Sequence, residues 1–400
     1  MFAVDLLSET DGRKLLLTTH NQNTIMKKTV MFIALAAAFG FNNAQAVDWN
    51  WKGDVRYRYQ SEMADRHTGA DDHSRDRHRL RVRLGVNPWI NEELSAGLRL
   101  TTDSAESTSR NQSLDNGFNT KNIVFDEAYV NFHPMSLSGA VNLLLGKREV
   151  SSTLFIEKDL VWDTDLTFEG VTLQYGKEID GKQKDGLGAV AGWYSLDENK
   201  SVTTKEQDAY LIVLQGCYKG NLSDFGYDFG AGYYDFVHFD FDNSTAQSGF
   251  EPKFDYRGKD FNIVEFFGGI GGDITETVPW KLYGQYAFNT ASKKNAVNID
   301  ESQRDAWLAG LKIGSAKNPG QIEGAVEYVN IEKDAVTAMT DSDRNYPDSD
   351  KTNIRGWKLN AVYHLVQNMT VGATYMNFKE ITGTDNDRNH LLQADVVVKF

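Results

Sequence analysis

Apolar and polar side chains alternate with a period of two along much of this 400-residue chain. Trp49, Trp51, Val55, Tyr57 and Tyr59 share one parity, and Lys52, Asp54, Arg56 and Arg58 share the other. A β-strand sends successive side chains to opposite faces, so this pattern describes a strand with one apolar and one charged face. Phe225, Tyr227, Phe229, Ala231 and Tyr233 alternate in the same way with Asp224, Gly226, Asp228, Gly230 and Gly232. So do Trp357, Leu359, Ala361 and Tyr363 with Lys358 and Asn360. Strands are predicted near 49–60, 76–87, 93–103, 122–133, 139–149, 166–177, 186–197, 206–219, 223–236, 258–272, 278–290, 302–314, 318–332, 352–365, 367–379 and 389–400. Each has the length of a tilted membrane-crossing strand or slightly more. Segments 122–133, 186–197 and 206–215 are apolar on both faces, which suits a strand against a neighbouring subunit or under an inserted loop.

The connections between these segments sort by parity. The odd ones are mostly long and polar (61–75, 104–121, 150–165, 198–205, 237–257, 291–301, 334–351, 380–388), and the even ones are mostly short. A soluble sandwich has no reason for such sorting. A transmembrane barrel does, because it carries long loops on one side and tight turns on the other. Trp49, Trp51, Trp89, Trp280, Tyr57 and Tyr59 fall near strand ends, the depth that amphipathic rings prefer in a bilayer.

Composition narrows the class further. The mean hydropathy of −0.48 leaves no room for membrane helices, and a chain that crosses a bilayer without them must close a β-barrel. Gly 34 against Pro 6 is a strand-and-turn composition. The formal net charge of −14 argues against nucleic acid as a partner, and the one cysteine, Cys217, excludes an intrachain disulfide. Met26-Lys27-Lys28, the apolar run 29–39 and Ala44-Gln45-Ala46 have the order of a signal peptide over 26–46, with Val47 starting the mature chain. Residues 1–25 have no place in such a signal and are expected to be a spurious upstream extension. No plug-sized segment precedes the first strand, so neither a cofactor nor energy coupling is expected. Phe400 closes an alternating strand through Val398, Val396, Ala394 and Leu392, and resembles the signal read by outer-membrane assembly machinery.

The run Arg77-His78-Arg79-Leu80-Arg81-Val82-Arg83-Leu84 puts four arginines on one face of a strand. With Gly53-Asp54-Val55-Arg56-Tyr57-Arg58-Tyr59 before it, Phe125-Asp126-Glu127-Ala128-Tyr129-Val130, Gly146-Lys147 and Val161-Trp162-Asp163-Thr164-Asp165-Leu166-Thr167-Phe168-Glu169-Gly170-Val171 after it, the chain resembles the putative-porin family of Gram-negative outer membranes. The likeness is densest over 53–175. It implies an all-β, antiparallel, up-and-down transmembrane barrel of about sixteen strands. It also implies a water-filled channel for passive diffusion of small hydrophilic solutes and ions, with lipid around it and a homotrimer as the family's usual state. In general porins the third outer loop folds into the lumen, and the loop at 150–165 looks similar. Its acids Glu157, Asp159, Asp163 and Asp165, with Glu169 at its edge, would then face a basic wall of Arg56, Arg58, Arg77, Arg79, Arg81, Arg83 and Arg99. Such a pair of rows sets a transverse field across a narrow aqueous pore.

Other clusters carry less. His67, Asp71, Asp72, His73 and His78 match no regular metal-ligand spacing and read as a solvated loop. Asp240, Asp242, Asp341, Asp343, Asp348 and Asp350 read as loop acids rather than a cation site. Gly268-Gly269-Ile270-Gly271-Gly272 lacks the strand–helix context of a nucleotide fingerprint. The alternatives to general diffusion are a solute-specific, anion-guiding channel and a barrel enzyme or adhesin. No local catalytic signature supports an enzyme.

Overall fold

The computed structural model describes residues 47–65, 74–104, 106–198, 207–239, 260–291, 303–344, 351–382 and 388–400. The segment 26–46 predicted as a signal peptide and residues 1–25 lie outside them, as do His67, Asp71, Asp72, His73, Asp240, Asp242, Asp348 and Asp350. Sixteen long strands form the wall: β1 (Asp48–Asp65), β2 (Ser74–Asn91), β3 (Leu94–Thr102), β4 (Ile123–Phe132), β5 (Val141–Glu149), β6 (Thr167–Tyr175), β7 (Gly186–Asp197), β8 (Ala209–Leu222), β9 (Phe225–Val237), β10 (Asn262–Thr275), β11 (Val278–Asn289), β12 (Asp305–Gly314), β13 (Ile322–Ile331), β14 (Ile354–Val366), β15 (Met369–Glu380) and β16 (Arg388–Lys399). Every neighbour in sequence is a neighbour in space, and every pairing is antiparallel. A two-residue strand, Gln112–Ser113, adds to the upper part of β2 opposite Leu80 and Arg79.

The sheet has no free edge. β1 pairs with β16 from Asp54 opposite Lys399 to Asp65 opposite Arg388. At the foot of this seam the Gly53 amide donates to the Phe400 carbonyl at 2.7 Å, and the Phe400 amide donates back at 3.0 Å. A Cβ on Gly53 would stand 2.7 Å from the Phe400 ring and from the Arg83 carbonyl, so only glycine lets the seam close this tightly. Closure satisfies the backbone groups that an open edge would leave bare in hydrocarbon.

The alternation in the sequence sets which side chains face out. On β1, Val55 and Tyr57 are exposed while Asp54, Arg58 and Gln60 are buried. Around the outer surface, exposed Trp193, Tyr286, Trp307 and Trp357 lie toward the long-loop rim, and Trp49, Trp51, Phe225 and Tyr363 lie toward the short-turn rim. Two aromatic girdles flanking an apolar band are what a bilayer selects.

The inner face is not uniformly polar. Val190, Tyr194, Leu211, Val213, Tyr234 and Phe236 point inward from β7, β8 and β9 and form one cluster with Leu154, Phe155, Leu160 and Trp162 of the 150–166 segment. This explains why 186–197 and 206–215 read as apolar on both faces: one face meets lipid and the other meets that segment. β4 has a different cause. A register shift opposite Arg99/Leu100 places Asp126 and Glu127, which are consecutive, both on the buried side.

Position along a strand should therefore separate two kinds of damage. Leu359→Arg puts a charge on the outer face near the middle of β14 and is expected to cost about 2–4 kcal/mol in denaturant unfolding from lipid vesicles. Asn360→Arg, one residue on and facing inward, should leave the unfolding midpoint within a few tenths of a molar of the parent.

Candidate functional site

β1, β2 and β3 place the seven arginines on neighbouring strands, and the partners they bind are mostly not the acids of the 150–165 loop. β1 and β2 place Arg56 opposite Arg81 and Arg58 opposite Arg79, so the arginines are adjacent and repel unless each is compensated. Arg58 forks onto Asp395 of β16, at 2.7 and 2.8 Å, and also reaches Asp343 at 3.0 Å. Arg81 and Arg83 share Asp54, at 2.9 and 2.6 Å. Arg99 holds Asp126 at 2.6 Å and also binds Glu149. Arg77 binds Glu62. Arg56 donates to the Asn111 side chain, and Arg79 donates to Gln60 and to the Asn111 carbonyl. The segment around 109–111 thus lies along the arginine row, and Arg110 joins it by binding Asp126 at 2.7 Å.

The acids of the 150–165 loop go to several places. Only Asp165 approaches the row, 3.8 Å from Arg81. Glu157 pairs with Lys281 of β11 at 2.7 Å. Asp163 accepts the amides of Asp165 and Ser342, each at 2.8 Å, and so shapes the backbone. Glu169 does not belong with the others. It has the outward parity of Val171, Leu173 and Tyr175 on β6, its side chain is 60% exposed, and it pairs with Lys147 on β5. The expectation that it faces the arginines is corrected: the residue lies past the loop, where strand alternation turns it outward.

A short α-helix (Val150–Thr153) starts the loop, and residues after it bond to side chains of β8, β11 and β13. The Phe155 amide and carbonyl both bond Gln215 of β8, at 2.8 and 2.9 Å. Trp162 packs at 5.0 Å from Phe168, 5.2 Å from Tyr234 and 5.8 Å from Phe236 between ring centroids. Lys158 bonds Glu327 of β13 at 2.9 Å and lies over the Tyr283 ring. From the opposite rim, the Lys177 ammonium donates to the Leu154 and Gly181 carbonyls at 2.7 and 2.8 Å. Burial, with Arg148 nearby, pushes Lys177 down to about 7.

Residues 332–344, from the connection between β13 and β14, complete the assembly. The Asp163 amide donates to the Met339 carbonyl at 2.7 Å, Thr340 donates to the Leu160 carbonyl at 2.9 Å, and Arg344 donates to the Asp159 carbonyl at 2.7 Å. Asp341 and Asp343 are therefore not solvated loop acids. Asp341 binds Lys358 at 2.9 Å, and Asp343 binds Arg58. Burial alone would raise the Asp343 carboxyl, but Arg58, Arg79 and Lys358 outweigh it and hold the carboxyl well below its usual range. Burial, then the neighbouring Asp165, Asp341 and Asp159, pushes Asp163 well up. Burial with Asp341 beside it raises Asp159 to about 6, and burial, opposed by Lys281, raises Glu157 to about 7.

A cavity of about 290 Å³ remains between the loop tip at Lys158 and Asp159 and the inner face of β12–β16 and β1. Lys312, Glu323, Lys358, Asn360 and Thr374 line it together with the Arg58–Asp395 pair. Lys158, Lys312 and Lys358 supply cations to this cavity beyond the arginines of β1–β3. The inward parity of Lys358, opposite Trp357 and Leu359, was visible; its nearness to the loop was not. His78 bonds Tyr57 at 2.6 Å, and among the described residues no three His, Cys, Asp or Glu side chains form a metal-binding group.

A family model described as "Putative porin" matches residues 37–267 and 259–400. No curated protein matches the sequence. Among solved structures, the Pseudomonas putida OprB fold aligns with a TM-score of 0.56 at 11% identity, covering 88% of this chain and 94% of that one. The anion-selective porin from Comamonas acidovorans aligns with a TM-score of 0.53 at 10% identity, covering 88% of this chain and 100% of that one. At such identities the likeness is one of fold.

Arg58→Ala removes the cation that bridges Asp395 and Asp343 and is expected to destabilise the barrel by about 3 kcal/mol in denaturant unfolding. Lys182→Ala, which breaks the exposed turn pair with Asp180, should leave the unfolding midpoint unchanged.

Proposed function

The chain belongs to the family described as putative porin, and from that membership and its closed, charge-lined wall we propose a passive channel through which small hydrophilic solutes and ions cross the bacterial outer membrane. One observation supports the reading: inward-facing charged side chains border a cavity in a barrel whose outward face is apolar. We take that loop as the constriction. Its apolar side rests on β7–β9, and its tip at Lys158 and Asp159 borders the passage. The acids that shape it, Glu157, Asp159, Asp163 and Asp165, act with Arg56, Arg58, Arg77, Arg79, Arg81, Arg83 and Arg99 by fixing loop position and local field together. The reading includes insertion by assembly machinery that recognises Phe400, and a homotrimeric state.

An anion-guiding channel would need arginines free to hand a solute from one to the next. Here Arg58, Arg77, Arg81, Arg83 and Arg99 hold carboxylates, and Arg56 and Arg79 hold amide or carbonyl oxygens. This favours weak selectivity.

Planar-bilayer recording tests the proposal. The mature chain should give stepwise, ohmic conductance in KCl, and a purified, folded chain that inserts without conducting would refute it. Two further outcomes follow. Trp162→Ala removes the loop's aromatic anchor and should raise single-channel conductance. Raising the pH from 5 to 8 should deprotonate Asp159 near 6 and Glu157 near 7, adding negative charge to the loop, so the reversal potential in a KCl gradient should move toward cation selectivity.

A further inference from the structure

We propose that the 290 Å³ cavity contains a subsite for small zwitterionic solutes, centred on Lys312 and Glu323, of the class that carries one carboxylate and one ammonium on the same carbon. The inference rests on the porin reading and deepens it. The cavity is bordered by four cationic and five acidic side chains, so a solute of either single sign gains little from the net field. Most of these charges are firmly committed. Arg58 forks onto Asp395, Lys358 binds Asp341, and Lys158 binds Glu327, each at 2.9 Å or less.

The pair Lys312–Glu323 is different. It is 3.4 Å long, and its side chains are 40% and 26% exposed, against 7% for Glu327 and 21% for Lys358. Lys312 also stands opposite Lys281 across the β11–β12 ladder, and Lys281 is held by both Glu157 and Asp228. Lys312 thus sits beside a like charge with one loose counter-charge of its own.

The consequence is an exchange of partners. A simple anion that takes Lys312 strands Glu323, and a simple cation that takes Glu323 strands Lys312. Either leaves a partly buried charge without its partner. A zwitterion gives its carboxylate to Lys312 and its ammonium to Glu323, turning one stretched pair into two charge-assisted contacts with nothing left over. Asn360 and Thr374, bonded to each other at 2.8 Å on the same wall, offer further neutral hydrogen-bonding atoms to the solute. The volume lies at the small end for ligand pockets, which limits the site to one small molecule.

The test is KCl conductance of the full mature channel in planar bilayers at pH 7, titrated separately with L-alanine, potassium acetate and methylammonium chloride at constant ionic strength. Each response is expressed as a fraction of that channel's own conductance. Alanine should reduce it saturably, while acetate and methylammonium should not. In Lys312→Gln and Glu323→Gln the half-saturating alanine concentration should rise at least about tenfold. Saturable reduction by acetate or methylammonium equal to that by alanine, or an unshifted alanine response in both variants, would overturn the subsite. A conducting channel with no alanine response would also overturn it and leave the porin reading intact, whereas absence of any conductance would remove both. The three-probe comparison on the unaltered chain stands whether or not the variants fold.

Discussion

Hydrocarbon offers a backbone nothing to bond to, and that constraint shapes this molecule. Sixteen antiparallel strands meet it only because the last returns to the first, over the seam between β1 and β16 and the paired Gly53 and Phe400 backbones at its foot. Once the sheet is closed, strand alternation has a single physical meaning. One parity meets lipid and the other meets the interior, and the choice of apolar or charged residue at each position follows.

The interior then has a problem of its own. Four arginines on one strand face beside two more on its neighbour make a field that water alone would have to screen. The chain answers it with carboxylates from the paired neighbouring strands, Asp54, Asp126 and Asp395, and with segments from the long connections. Residues 109–111, 150–166 and 332–344 are bonded to one another as well as to the wall, through Ser342 with Thr108, Asp163 with Met339, and Arg344 with Asp159. The charged cavity is left where these segments stop, bordered by β12–β16 and by Arg58 of β1.

How much of this was legible depended on sequence distance. The strands, their parity and the alternation of loop lengths are local patterns, and they could be read directly; so could the inward direction of Lys358 and Asp395. The partners could not. Arg58 finds Asp395 337 positions away and Asp343 285 positions away, and nothing in either neighbourhood announces the other. Asp126 and Glu127 share a side because of a bulge that pairing with β3 imposes. The outward turn of Glu169 was legible, since Val171, Leu173 and Tyr175 share its parity. The misreading came from counting it with the loop instead of with the strand. The burial of Asp341 and Asp343 was not legible, because a polar loop reads the same whether it stands in water or lies against a charged wall.

Accessibility along a single strand tests the central claim most directly. Spin labels on single cysteines at 357 to 361, in a Cys217→Ser background reconstituted in lipid, should alternate: 357, 359 and 361 relaxed by oxygen dissolved in the bilayer, 358 and 360 by a water-soluble nickel complex. A smooth, non-alternating profile, or water contact at all five positions, would contradict a barrel that separates lipid from an aqueous interior.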